Sequence, residues 1–426
     1  MNALLIIFWG VVLLSVVVFV HEGGHYLAAR AFGVRVSEFM IGLPGPSVGF
    51  VRGGTRFGLT AIPLGGYARI AGMETTPEDP LLADALAYVY RHGQTTVADL
   101  AFGMGIDEDH AESLIYMLSS WASITTPKGR FADDVYLAPE REGFAKGEPR
   151  AVPDPRALLD SERAGTYHGL PYWKRLVCLF AGPFANLVLA VILAVILLSA
   201  HGVYQASTTL GNVVEGSPAA EAGLQAGDTV LSIDGTETPT WDTLSAAIAQ
   251  HAVGDTVSIR YERDGEVGEV DCALYDNSGH PALGIYAGME LVHLGVGESL
   301  RESGGYIAQV VKAVGNLFNP ATAKQTLDNS TSVIGIAYET KAAADQGLLS
   351  LLSIAIAISA SLGIMNLIPI PPLDGGKILI ETIQKVVRRD LPERVNTYLS
   401  LAGVAFVMVL FVYLTFQDIG RYVLGG

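Results

Sequence analysis

The chain has 426 residues, half of them hydrophobic and 16% charged, with a formal net charge of -16. That length suits two or three domains, and the apolar share leaves room for several runs of the roughly 20 residues that cross a bilayer. The acidic balance excludes nucleic acid as a partner, because a phosphate backbone is met by Lys and Arg. The two cysteines, Cys178 and Cys272, lie in unrelated contexts and give no disulfide framework.

The first apolar run carries no charge from Ala3 to Val20. It lacks a basic leading segment and a small-residue cleavage pattern, so it is predicted to stay as a transmembrane helix over 1–32 rather than leave as a signal peptide. The run ends in His21-Glu22-Gly23-Gly24-His25. Residues four apart share a helix face, so His21 and His25 can meet one zinc ion, with Glu22 beside it as general base. Ionisable groups at membrane depth are costly and mark functional sites. Gly23 and Gly24 each weaken a helix by about 1 kcal/mol, which predicts close approach of another backbone. Arg30 and Arg35 place this end in the cytoplasm and Met1 outside.

Residues 33–74 change period. Phe32 to Phe39 and Thr55 to Ile62 alternate, and Pro63-Leu64-Gly65-Gly66-Tyr67-Ala68-Arg69-Ile70 breaks and resumes. Glycine-punctuated runs of this kind predict hairpins, either a small β element dipping into the membrane interface or an ordinary cytoplasmic hairpin. Residues 75–165 read as a soluble cytoplasmic insert. Helices are predicted from Asp79-Pro80 to about Arg91, from Thr95 to Phe102 and from Asp107 to Trp121, the last with acids at its start. With the β-like Ile124 to Tyr136 they resemble a winged helix. Acids outnumber bases about two to one over 74–170, which favours a protein-contact or structural module over DNA binding. Glu140 to Ser161 reads as linker.

Lys174 and Arg175 precede a second span, 171–202, interrupted at Ala181-Gly182-Pro183-Phe184-Ala185-Asn186. Pro183 removes a backbone hydrogen bond, and Asn186 needs a polar partner in lipid. Residues 205–290 then carry Gly216-Ser217-Pro218-Ala219-Ala220, Gly223-Leu224, Gly227-Asp228, the strand Thr229 to Gly235, a helix from Trp241 to His251, and strands Val257 to Tyr261 and Val267 to Leu274. This α+β pattern resembles a circularly permuted bacterial PDZ domain, which implies an extracytoplasmic module. Such a module either binds a peptide C-terminus, with a backbone nest near Leu210 to Asn212, or acts as a steric filter. Residues 296–345 open with an amphipathic helix, Glu298 to Phe318, predicted to lie on the outer membrane surface. A third transmembrane region, 346–384, and a fourth span, 398–420, flank a basic loop of Lys385, Arg388, Arg389 and Arg394. Four spans with both termini extracytoplasmic satisfy every basic flank.

A catalytic zinc takes three protein ligands and keeps one open position. Asn366-Leu367-Ile368-Pro369-Ile370-Pro371-Pro372-Leu373-Asp374-Gly375 offers the third in Asp374, at the same depth as the histidines. Asp374 is equally placed to cap the following helix. Together, His21-Glu22-Gly23-Gly24-His25, the Asn366 to Gly375 motif and the PDZ-like region between them resemble the site-2 protease family of intramembrane zinc metalloproteases, bacterial RseP type. The resemblance covers all but the 75–165 insert. It implies a polytopic α-helical membrane protein of the bacterial cytoplasmic membrane that binds Zn2+ through His21, His25 and Asp374, with Glu22 as catalytic base. It also implies substrate contacts from Asn366 and from Leu64, Gly65, Gly66 and Tyr67, and single-pass transmembrane substrates such as anti-sigma factors or signal-peptide remnants. Ser332 to Ala337 resembles the family's segment before the third span. Gly23 in place of a bulky apolar residue, one PDZ domain rather than two, and the insert depart from the pattern. A metal-ion transporter would also bury His and Asp, and a non-catalytic PDZ scaffold would share the domain. The transporter lacks a polar path here, and the scaffold gives no reason for Glu22.

Overall fold

Long apolar runs can satisfy their backbone in lipid only as helices, and among the described residues four such runs are helical over lengths that cross a membrane: Leu4–Ala31, Tyr172–Ala200, Leu348–Asn366 and Arg394–Tyr422. The computed structural model describes residues 3–62, 65–73, 79–125, 135–141, 143–389 and 391–424. It divides into two compact units, one of residues 1–194 with 302–426 and one of residues 195–301.

In the first unit, helix α1 (Ala3–Ala31) leads into strands β1 (Val36–Ile41), β2 (Ser47–Arg52), β3 (Thr55–Thr60) and β4 (Gly66–Ile70). The sheet order is β2-β3-β1-β4, with β1 parallel to β3 and antiparallel to β4. The expected hairpin between the second alternating run and Ile70 does not form, because β4 pairs with β1 rather than with β3. Gly42 explains the crossing. Its φ of 102° is open to glycine, and a Cβ there would fall on Thr60 Oγ1 and the Ile62 carbonyl. The chain therefore passes over the end of β1, where Gly42 N donates to Gly65 O (2.8 Å) and Leu43 N to Ile62 O (3.0 Å). Phe39 packs edge-on against Phe19 and Tyr26 of α1, so the sheet is fixed to the helix that carries the histidines. The edge strand β2 leaves Val48, Phe50 and Val51 exposed.

The insert contains α2 (Leu82–His92), β5 (Gln94–Thr95), α3 (Val97–Met104), α4 (Glu108–Ser120), β6 (Tyr136–Leu137) and α5 (Pro155–Ala164). Leu86, Val89, Leu114 and Leu118 form its core. Thr96 and Asp107 cap α3 and α4 by accepting from Asp99 N and His110 N. Within the expected β-like stretch, Thr125 bridges Leu137 and Tyr136–Leu137 pairs with β5; residues 126–134 lie outside the described residues. The expected linker is in part a helix: Asp154 caps α5, Pro155 opens it, and Leu159 and Glu162 are buried.

Glu162 ties this insert to the membrane portion. Its carboxylate meets Arg35 Nη1 at 2.6 Å and Arg141 Nε at 2.8 Å, and Tyr90 donates to it at 3.1 Å. Burial, followed by the Glu162 carboxylate, pushes the Tyr90 phenol up to about 12, so Tyr90 is a donor at all physiological pH. Glu162→Ala would take the carboxylate from two guanidinium groups, which keep carbonyl acceptors at Trp121, Glu162 and Ala122. Both are partly solvated, so the loss should sit near the low end for a broken buried pair, about 3 kcal/mol. Urea-dependent limited proteolysis of the intact protein would read it as earlier cleavage in the insert; an unchanged midpoint would show the cluster to be energetically neutral.

Helix α6 (Tyr172–Ala200) continues through Pro183, so the expected interruption is only a missing hydrogen bond. In the second unit the strands are β7 (Val203–Val213), β8 (Thr229–Ile233), β9 (Thr236–Glu237), β10 (Thr256–Arg263), β11 (Glu266–Ala273), β12 (Tyr275–Asn277), β13 (His280–Ala282) and β14 (Ile285–Val292). Helices α7 (Pro218–Glu221) and α8 (Trp241–Ile248) accompany them. The main sheet runs β11-β10-β8-β7-β14, with β9 on β8, around Leu210, Val230, Ile233, Leu244 and Ile259. The sequence signature has local causes: Ser217 caps α7 ahead of Pro218, and Asp228 accepts from Gln225 N and Arg263. The expected nest at Leu210 to Asn212 is absent, because Leu210 N donates to Asp228 O (2.7 Å) and Asn212 pairs with Tyr286. A groove lies instead between α8 and the start of β14, lined by Trp241, Leu244, Ile248, Leu283 and Ile285.

Beyond it come α9 (Val296–Asn316), α10 (Ala323–Asp328), α11 (Val333–Gln346), α12 (Leu348–Asn366), α13 (Asp374–Val387) and α14 (Glu393–Asp418). Gly10 lets α11 pack onto α1, since a Cβ there would come within 2.7 Å of Ala337 Cβ. Asp418 holds the start of α11 by accepting from Ser332 N (2.6 Å) and Gly335 N (3.2 Å).

Candidate functional site

The last turns of α1, the middle of α6 and the start of α13 meet at one point. His21 Nε2 and His25 Nε2 are 3.3 Å apart, and Asp374 Oδ2 is 3.2 Å from the first and 3.3 Å from the second. All three residues are buried. These sides are those of one face of a tetrahedron whose centre lies about 2.0 Å from each corner, the zinc–nitrogen and zinc–oxygen bond length. Apart from those two ring nitrogens, Asp374 Oδ2 has no hydrogen-bond partner among the described residues. A buried carboxylate oxygen left so is costly unless a cation satisfies it, so the donor set fits zinc. Among the described residues this is the group of three that could hold a metal. The capping alternative for Asp374 does not apply: Leu373 is the N-cap of α13 and no side chain caps it, so the carboxylate is free to face the histidines.

Glu22, one residue after His21, turns instead to the sheet. Its Oε2 accepts from Ala68 N at 2.9 Å. That N–H is free for it because β4 is an edge strand with β1 on one side only. Gly66 and Tyr67 lie on the same strand. Gly66 sits close over β1, where a Cβ would come within 2.8 Å of Met40 O, and Tyr67 donates to Glu38 Oε2 at 3.0 Å. Burial, then the Glu38 carboxylate, push the Tyr67 phenol up from its ordinary value, so it stays protonated. Gly65, with φ 79°, immediately precedes this strand, and Leu64 lies outside the described residues. Asn366 ends α12 and donates to its own helix at Leu362 O (3.0 Å); no hydrogen bond to the three converging residues is present among the described residues.

Helix α6 contributes a face that the sequence reading did not assign to the site. Cys178, Gly182 and Asn186 are spaced by four, matching His21 and His25 on α1. His25 Nδ1 is 2.7 Å from Cys178 O, Asn186 Nδ2 is 3.4 Å from His21 Nδ1, and a Cβ at Gly182 would fall on His25 Nε2. The signal was that shared spacing. Of the two glycines expected to mark close approach, Gly24 does so, since a Cβ would fall on the Ala181 carbonyl, whereas Gly23 has open space.

The sequence model of peptidase family M50 matches residues 9–410. Similar curated proteins include the zinc metalloprotease RasP of Shouchella clausii, 28% identical over 431 residues, with 96% of this chain and 98% of that protein covered. The regulator of sigma-W protease RasP of Bacillus subtilis is 26% identical, over 96% of this chain and 97% of that one. Among solved structures, the PDZ domain of an SdrC-like protein of Listeria monocytogenes matches 20% of this chain and 90% of its own at 31% identity, with a TM-score of 0.18. The family match begins within the first apolar helix and ends within the fourth, taking in every residue that converges on the metal position. This chain belongs to peptidase family M50, the site-2 protease family, and is an intramembrane zinc metalloprotease.

Proposed function

We propose that the enzyme cuts transmembrane segments of single-pass membrane proteins in regulated intramembrane proteolysis, with anti-sigma factors and signal-peptide remnants as substrate classes. The Bacillus subtilis relative's description as a regulator of sigma-W protease supports the first class. The observation that carries the reading is the triangle of His21, His25 and Asp374 at zinc dimensions. These three residues hold the zinc, which when bound polarises the scissile carbonyl and acidifies the attacking water. Glu22 takes the proton from that water and passes it to the leaving amine. A helical substrate hides its carbonyls in internal hydrogen bonds, so it enters unwound. The free edge of β4 at Gly65, Gly66 and Tyr67, with Leu64 before it, receives the extended chain as an added strand, and Asn366 contacts it. Ala68 N–H keeps Glu22 at that edge.

The remaining assignments follow the same plan. The exposed apolar β2 dips into the membrane interface beside the first span, and the amphipathic α9 lies on the outer surface. Both termini and the PDZ domain face outward from the bacterial cytoplasmic membrane, and the insert, winged-helix-like in its three helices and short β pair, meets a cytoplasmic protein. The groove between α8 and β14 takes a peptide C-terminus. Comparative membrane proteomics of cells carrying the wild type or Glu22→Gln tests the substrate class. Single-pass fragments, already trimmed outside, should accumulate in the variant; identical membrane proteomes would sink it.

A further inference from the structure

A histidine that binds a metal through Nε2 keeps its proton on Nδ1, and that N–H needs an acceptor to fix the ring. His25 has one in Cys178 O, 2.7 Å from its Nδ1. His21 faces Asn186, whose Nδ2 is 3.4 Å from His21 Nδ1, while Asn186 Oδ1 is buried with no partner among the described residues. With Nδ2 facing it, Nδ1 must act as acceptor, which puts the ring proton on Nε2 and closes that nitrogen to a metal. A half-turn of the amide about Cβ–Cγ exchanges the two ends and brings the oxygen to the Nδ1–H.

We propose that Asn186 is a positioning residue for the metal site, with its side-chain oxygen accepting from His21 Nδ1–H in the zinc-loaded enzyme. The residue is 0% exposed, and its backbone is held by α12, where Ser359 Oγ donates to Asn186 O at 2.8 Å. The oxygen is thus supplied from a fixed point on α6. Along that face, Cys178 serves one histidine and Asn186 the other, with Gly182 giving the clearance between them. A buried asparagine between three membrane helices can also act only as polar glue. That role predicts lost stability and no particular effect on metal affinity.

The inference rests on His21 being a zinc ligand, and the experiment separates the two claims. Zinc dissociation constants of the full-length protein in detergent are measured by competition with a chromophoric chelator. His21→Ala, Asn186→Leu and Asn186→Asp are compared with the wild type, and cobalt absorption reports the geometry of the metal. Asn186→Leu should weaken zinc binding by about 10–100-fold, as outer-shell partners of metal-bound histidines do. Asn186→Asp, which keeps an acceptor, should stay close to the wild type in affinity and cobalt spectrum. Unchanged affinity in Asn186→Leu, with His21→Ala defective, overturns the positioning role alone. Equal loss in the leucine and aspartate variants overturns it too, because the aspartate keeps the acceptor that the proposal requires. Wild-type affinity in His21→Ala overturns the ligand assignment itself. Should the leucine variant not fold, Asn186→Ala removes the acceptor without adding apolar bulk.

Discussion

Purified Glu22→Gln enzyme should carry zinc at the wild-type stoichiometry and cleave a reconstituted single-pass substrate about a thousand-fold more slowly or worse, within or beyond the range for loss of a general acid–base group. The geometry supports this separation. Glu22 is not one of the three converging residues, so its replacement removes no corner of the metal triangle. Its Oε2 accepts from Ala68 N, and a glutamine oxygen can accept from the same N–H, so the side chain keeps its shape and its anchor. Only the capacity to take a proton is lost. Single-turnover cleavage and metal analysis on one preparation give both readings. Full proteolysis by the variant would reject Glu22 as the base, and loss of zinc with activity would make it a ligand.

What the sequence made legible follows the range of the interactions. Two histidines four apart share a helix face whatever surrounds the helix, and an uncharged run of this length has few options in lipid; both were readable. Asp374 was readable as a candidate, yet its choice between capping and facing the histidines depended on Leu373 taking the N-cap. Strand β2 went unseen because Ser47–Arg52 is an exposed edge with no alternation of buried and open positions. Helix α5 was hidden by a composition that suggested linker, although Asp154-Pro155 was a legible start signal. The pairing of β4 with β1 is a tertiary choice, set by a crossing over Gly42 that no local pattern records. The polarity of Asn186 was evident, but its partner on α1, 165 positions away, was not.

Gly182→Ala should lower zinc affinity by about 10-fold or more, in the range of outer-shell changes, and cut turnover by about 100-fold, the cost of misplacing a catalytic group by roughly an ångström. Residue 182 binds nothing. It lies within α6, where alanine favours the helix by about 1 kcal/mol over glycine, so an isolated helix would gain stability. The added Cβ, however, would fall on His25 Nε2. That ring cannot swing aside freely, because its Nδ1 is 2.7 Å from Cys178 O and its Nε2 lies 3.3 Å from both His21 Nε2 and Asp374 Oδ2. Either the imidazole leaves the triangle or α6 moves off α1, and the second is opposed by Gly24 packed against Ala181. Zinc affinity should therefore fall while the metal-free melting temperature changes little, the helix gain of about 1 kcal/mol offsetting the crowding. A parallel fall in both would mean that the methyl group disrupts the helix packing at large, and wild-type zinc affinity would mean that His25 has room the geometry denies it.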